Sequence, residues 1–207
     1  MVLASKDLRF RVPLLLIALS LVPLVAGIIR LHGLASGGEI TDDNSRFFLT
    51  PTPVAIHIVS STLFSLLGAF QFPQSFRTRW TSWHRKAGWL VASCGFVAAI
   101  TGLWMTLFYV IPAMLQGPIL YVVRLAVSCG MALSIILAVN FAIKRNFRLH
   151  RAWMIRAYAL GLGAGTQVLI ILPFTLIFGE VTGEARDVLM TAAWVINILI
   201  AEKIIKN

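Results

Sequence analysis

The chain has 207 residues, 58% of them hydrophobic and only 13% charged, with a mean hydropathy of +0.86. That balance excludes a soluble globule and marks an integral membrane protein. The formal net charge of +10 sits largely in short connections between apolar runs, where it sets orientation and meets anionic headgroups of membrane lipid, so no nucleic-acid partner is needed to explain it.

The apolar runs are residues 12–29, 53–72, 87–111, 119–143, 152–178 and 188–201, most of them near the roughly 20 residues a helix needs to cross a hydrocarbon core. Backbone amides find no partner in lipid, and the alternation of a barrel strand is absent, so the spans are helices. The expected fold is all-α: one membrane domain over residues 1–207 with six transmembrane helices. Spans two to five (52–178) form a four-helix core, and the first and last helices (12–29 and 188–201), the shortest, flank it.

Lys6, Arg9 and Arg11 precede the first span. Arg77, Arg79, Arg85 and Lys86 surround the second-to-third turn, Lys144, Arg145, Arg148, Arg151 and Arg156 the fourth-to-fifth, and Lys203 and Lys206 follow the sixth. The opposite connections carry Glu39, Asp42 and Asp43, then no charge over residues 112–118, then Glu180, Glu184 and Asp187. This asymmetry places both termini on the cytoplasmic side of the membrane. A basic segment leads into the first span as in a signal peptide. Its apolar run is longer than an h-region, however, and a short acidic loop leads directly into the next span, so an uncleaved anchor is expected.

The loop over residues 34–53 is polar and glycine-rich and carries Arg46-Phe47-Phe48; too short for a domain, it is expected to cover the outer helix ends as a lid. Gly95, Gly102, Gly130, Gly161, Gly163 and Gly165 offer places for close helix contact. Cys94 and Cys129, without CxxC spacing, read as packing residues. Arg79 precedes His84-Arg85 by the offset that separates Arg145 from His150-Arg151, which is either a parallel repeat or two solutions to one charge rule.

His84 and His150 each open an apolar run on the inner face, and each is followed by arginine. If the third and fifth helices face one another, the two imidazoles are candidate axial ligands of a b-type haem, with Arg85, Arg151 and Arg156 placed to pair with its propionates. The same histidines also suit a plain interfacial role, capping a loop or touching a headgroup. His57 lies near the outer end of the second span, about 24 Å of helix from its inner end, too far to share an ion with His84. Paired with His32, it would form an outer site. Arg124 falls several residues below the outer surface, where an arginine either snorkels or meets an anion: a propionate, a quinone oxygen or a substrate carboxylate. Gln71 and Gln167 are polar at depths where lipid satisfies neither, so interhelical bonds or a quinone carbonyl are their natural partners. Trp80, Trp83, Trp89 and Trp153 read as headgroup-level anchors. No metalloprotease helix, phosphate loop or nucleophile elbow is present.

The segment LLGAFQFPQSFRTRWTSWHRKAGWL, with Gln71, Arg77, His84, Arg85 and Gly88, resembles the first signature of DUF2306, a family of predicted bacterial membrane proteins. LHRAWMIRAYALGLGAGTQ, with His150, Arg151, Trp153, Arg156 and Tyr158, resembles its second, and AWVINILIAEKII, with Trp194, Asn197 and Glu202, its closing span. The resemblance runs from about Thr52 to the end. It departs at Gln167, where the family commonly has arginine. More distantly, the intramembrane histidines are similar to those of cytochrome b561-like electron carriers, which implies haem and electron transport.

Three functions follow as expectations. The first is a b-type haem carrier passing electrons between quinone and another redox partner. The second is a haem-free transporter or lipid-binding protein in which Arg124 and the inner arginines hold an anion. The third is a structural or assembly subunit of a membrane complex. None settles whether the chain is an enzyme.

Overall fold

The computed structural model describes residues 3–207, with side chains from residue 10 onward except at residue 75. Lys6 and Arg9, two of the cations expected on the cytoplasmic side, thus lie outside the described side chains. The helices are α1 (Leu3–Ser36), α2 (Ser45–Leu49), α3 (Pro51–Ala69), α4 (Gln74–Arg79), α5 (Thr81–Phe108), α6 (Pro118–Ile143), α7 (Phe147–Gly161), α8 (Gly163–Phe178) and α9 (Gly183–Lys206). No strand occurs among the described residues. Six stretches are long and apolar enough to span a membrane, with α7 and α8 sharing one of them, Phe147–Phe178. Six crossings put both termini on one face, here called the termini face; the other is the far face.

The expected ranking of span lengths does not hold. The shortest span is Pro51–Ala69, at 19 residues, while the first runs Phe10–Ser36 and the last Gly183–Lys206. An apolar run measures only the lipid-facing stretch, whereas helical hydrogen bonding continues at no penalty into the polar interface. The same extension draws His84 and His150 into the first turns of α5 and α7.

The centre is built by spans two to five. Phe64 of α3, Val91 and Cys94 of α5, Met131 and Ile135 of α6 and Tyr158 of α7 form one buried cluster. Lipid supplies little hydrophobic drive between helices, so close packing has to hold them. Phe64 shows how: a Cβ at Gly95 would sit 2.5 Å from its ring and one at Gly161 2.6 Å from it, so the two glycines form the slot that the ring fills. Tyr158 closes the layer, its hydroxyl donating to the Ser65 carbonyl at 2.7 Å. Helix α1 packs on α3 and α8, and α9 on α6, α7 and α8, outside this core. Exposed Leu14, Leu15, Ile28 and Ile29 on α1, and Leu199 and Ile200 on α9, face the lipid.

The two basic turns differ in construction. Between α6 and α7 the chain closes a Schellman turn: Asn146 N–H donates to Phe141 O at 2.9 Å and Arg145 N–H to Ala142 O at 3.0 Å, with Arg145 left-handed at φ 57°. Between α3 and α5 the separate helix α4 intervenes. The shared arginine-to-histidine offset is therefore not a shared backbone.

Candidate functional site

On the termini face, Asn146 caps α7, its Oδ1 accepting from Leu149 N–H at 3.2 Å. One turn on, His150 Nδ1 lies 2.9 Å from the Ala138 carbonyl of α6. A carbonyl only accepts, so Nδ1 carries the proton and Nε2 is left with a free lone pair. His84 Nδ1 is buried with no hydrogen-bond partner. His84 lies within electrostatic reach of His150 and of Arg77, and Arg77 of Arg151. Burial, aided by Arg151, draws the Arg77 guanidinium below its ordinary pKa. His84 and His150 thus share one layer on the termini face. Arg85 and Arg151 are exposed, with Arg151 Nη2 3.5 Å from Ile204 O. Arg156 already has a partner inside the chain: it grips Glu202 of α9 at 2.6 and 3.0 Å and stacks 4.6 Å over Trp153.

Towards the far face, α2, α3, α5, α6, α7, α8 and α9 line a cavity of about 360 Å³. His57 and Arg124 both line it, as do Arg46, Arg186 and Gln167. The imidazole is fixed from behind, its Nδ1 2.9 Å from the Ala98 carbonyl and 3.1 Å from Thr101 Oγ1, which leaves Nε2 as the acceptor. Gly102 gives it room: a Cβ there would lie 3.4 Å from the ring. Arg124 donates to Gln116 Oε1 and lies within electrostatic reach of Arg186, Arg46 and Asp187. Asp187 is fully buried, and both its oxygens are engaged by backbone at the start of α6, Gly117 N–H at 2.9 Å and Leu120 N–H at 3.0 Å. Arg186 Nε donates to Leu115 O at 3.3 Å. Arg46 stacks 4.4 Å over Phe47, and its Nη1 is buried without a partner. Burial, together with Arg30 nearby, pulls the Arg46 guanidinium below its ordinary pKa. The cavity therefore has a cationic rim and, around Phe64, Met105 and Met131, an apolar floor. The expected lid is part of this wall, because Arg46 and Phe47 of α2 both line it. His32, by contrast, is exposed near the end of α1 and does not line the cavity.

The cavity's inner wall is a broken helix. At Leu162 the α7 ladder ends and α8 restarts, with Gly165 and Thr166 N–H both turning to Leu162 O. The carbonyls of Ala159 and Leu160 accept from side chains of α9, Asn197 Nδ2 at 3.0 Å and Trp194 Nε1 at 3.1 Å. Thr166 Oγ1 bonds to Asn197 Oδ1 at 2.9 Å, and Gln167 Nε2 to Met190 O at 3.2 Å. Irregular backbone at membrane depth persists where it is buried in protein or lines a cavity, and here it does both.

A family model described as "Predicted membrane protein (DUF2306)" matches residues 54–205. The chain belongs to that family. No curated protein and no solved structure matches it. In this DUF2306 chain, Trp194 and Asn197 are the α9 side chains that complete the broken helix, and Glu202 is the partner of Arg156. No cluster of three or more His, Cys, Asp or Glu residues that could hold a metal ion occurs among the described residues. Cys94 is buried, Cys129 exposed, and both are free thiols.

The sequence pointed to His57 and Arg124 separately, and the fold brings them into one cavity. Arg46 and Arg186 were missed as site residues. A signal was available: Arg30, Arg46, Arg124 and Arg186 stand on the side where the charge asymmetry predicts few cations. A cation against that rule is an indication of local electrostatic work.

Proposed function

We propose that this DUF2306 chain binds, and carries across or within the membrane, a small molecule with an anionic head and an apolar body. The observation that carries the reading is Arg124, held inside a cavity whose rim has two further arginines while the carboxylate within its electrostatic reach, Asp187, is engaged by α6 backbone. A volume of about 360 Å³ lies within the range of small-molecule sites. The head meets Arg124, Arg46 and Arg186, the body rests on the apolar floor, and His57 Nε2 accepts a hydrogen bond from a hydroxyl or a protonated acid.

Decanoate is a suitable probe, with decyltrimethylammonium as its cationic counterpart, on protein in nanodiscs of zwitterionic lipid. Decanoate is expected to bind and its counterpart not. Arg124→Gln is expected to weaken decanoate at least about tenfold, the loss of one charge-assisted hydrogen bond. Equal binding of both probes, or unchanged affinity in Arg124→Gln, would overturn the reading. Uptake of labelled decanoate into proteoliposomes separates a transporter from a receptor.

A second reading, a b-type haem electron carrier exchanging electrons with quinone or a redox protein, is favoured by one observation. His150 Nδ1 is anchored to a backbone carbonyl with Nε2 free, the arrangement usual for a ligating histidine. His84 and His150 would hold the iron, and Arg77, Arg85 and Arg151 lie in the layer its propionates would reach. The bound group would supply one-electron chemistry. A Soret band in protein purified from haem-replete cells, lost in His150→Ala, supports it; colourless protein from the same cells counts against it.

A further inference from the structure

The termini-face layer holds an unmet set of hydrogen-bonding atoms that the cavity on the far face does not use. Gln71 follows α3, and both atoms of its amide are buried without a partner. Its Oε1 lies beside α5, where a Cβ at Gly88 would be 3.8 Å away. His84 is one turn earlier on that helix, on the same face, and its buried Nδ1 is also unmet. Arg77 of α4 completes the set with a buried, unpartnered Nε, within electrostatic reach of His84 and of Arg151 on α7.

A buried polar atom left without a partner costs roughly 1–3 kcal/mol, and native structures hold few of them. Four such atoms on three neighbouring residues call for a shared partner. Its chemistry follows from theirs. Arg77 Nε and Gln71 Nε2 donate, and His84 Nδ1 donates in the matching tautomer. Two cations within reach of each other call for negative charge, and the acidic side chain of this half among those described, Glu202, is taken by Arg156. Gln71 Oε1 accepts, so the occupant also presents a hydroxyl. Trp80 and Trp89, 55% and 60% exposed, mark this layer as the depth of lipid headgroups.

We infer that Gln71, Arg77 and His84, with Arg151 at the edge, form a binding site for a phosphoryl group that carries a hydroxyl. Hydrogen phosphate offers that chemistry free in solution. A phosphatidylglycerol headgroup offers it from the bilayer. Phosphatidylcholine has the phosphate but neither the hydroxyl nor a net negative charge.

The test is the thermal midpoint of detergent-purified protein titrated with inorganic phosphate, with dihexanoyl phosphatidylglycerol and with dihexanoyl phosphatidylcholine. The midpoint is expected to rise with one or both of the first two and not with the third. A rise with the lipid alone assigns the group to a headgroup, and a rise with inorganic phosphate assigns it to the free ion. Arg77→Gln is expected to weaken the response about tenfold or more, while Lys86→Gln, an exposed cation on the same turn of helix as His84, responds as wild type. Gln71→Leu keeps the side chain's bulk and removes both unmet atoms, so it raises the ligand-free midpoint and flattens the titration. Three results would overturn the assignment: no rise with either ligand, wild-type responses from both Gln71→Leu and Arg77→Gln, or a Soret band lost in His84→Ala.

Discussion

Arg124 and Asp187 illustrate how one residue can be read in two ways. Both lie in the bundle's far half, yet the carboxylate is held by backbone through both oxygens while the guanidinium lines the cavity. Asp187 takes the N-cap role for α6 from a neighbouring helix, and a Cβ at Gly117 would sit 2.6 Å from its Oδ2, so the glycine leaves the space the carboxylate occupies. Asp187→Ala is expected to lower stability by about 1–3 kcal/mol, because two amides at a buried helix start lose their acceptor. Asp187→Asn, which keeps one acceptor oxygen, should lose less; thermal unfolding in detergent checks both. The sequence made Arg124 conspicuous by its depth. Arg46 and Arg186 stayed hidden because each stands close to an acidic residue, Asp43 and Asp187, in segments that hydropathy reads as loops, and so read as solvated charge. Only the folded chain turns them inward.

At the level of helices, number and order were legible from hydropathy, but turn chemistry and the break in the fifth span were not. Arg145 occupies a left-handed position that no pattern of arginines announces. Arg145→Gly is expected to stabilise the protein by about 1 kcal/mol, since glycine adopts that backbone without steric strain. A lowered unfolding midpoint in that variant would show that the side chain contributes more than the strain it imposes. The break at Leu162 escaped notice because Gly161, Gly163 and Gly165 fit a packing role equally well, and they serve one too. Gly163 lies against Trp194, whose indole leaves no space for a Cβ. What decides the break is hydrogen bonding from α9, more than thirty residues away in sequence. Asn197→Leu removes the donor to Ala159 O and the partner of Thr166. A loss of about 1 kcal/mol is expected, in the range of interhelical bonds in membranes, with faster protease cleavage near Leu162 as its local signature.

For the molecule as a whole, the charge asymmetry makes a directional claim. Cysteines introduced at Lys144 and Lys206 should be shielded from a membrane-impermeant maleimide in intact cells, whereas one at Glu180 should be labelled; the reverse pattern would invert the orientation. Placement of the histidine pairs depended on helix facing, which periodicity does not supply when lipid and protein surfaces are equally apolar. The two depths, inner and outer, were therefore legible in the sequence, but not which side chains meet at each, such as Arg46 and Arg186 beside Arg124. The side chains that complete the Ala159 and Leu160 carbonyls also bear on biogenesis. The fifth span leaves the ribosome ahead of Trp194 and Asn197, which follow it in the chain. Until α9 arrives, two backbone oxygens stand open inside the hydrocarbon, so the nascent protein must linger at the insertion machinery or be protected there. A product stopped after Phe178 lacks that completion permanently and is expected to be cleared by membrane quality-control proteases, with a half-life well below that of the full chain in pulse-chase labelling.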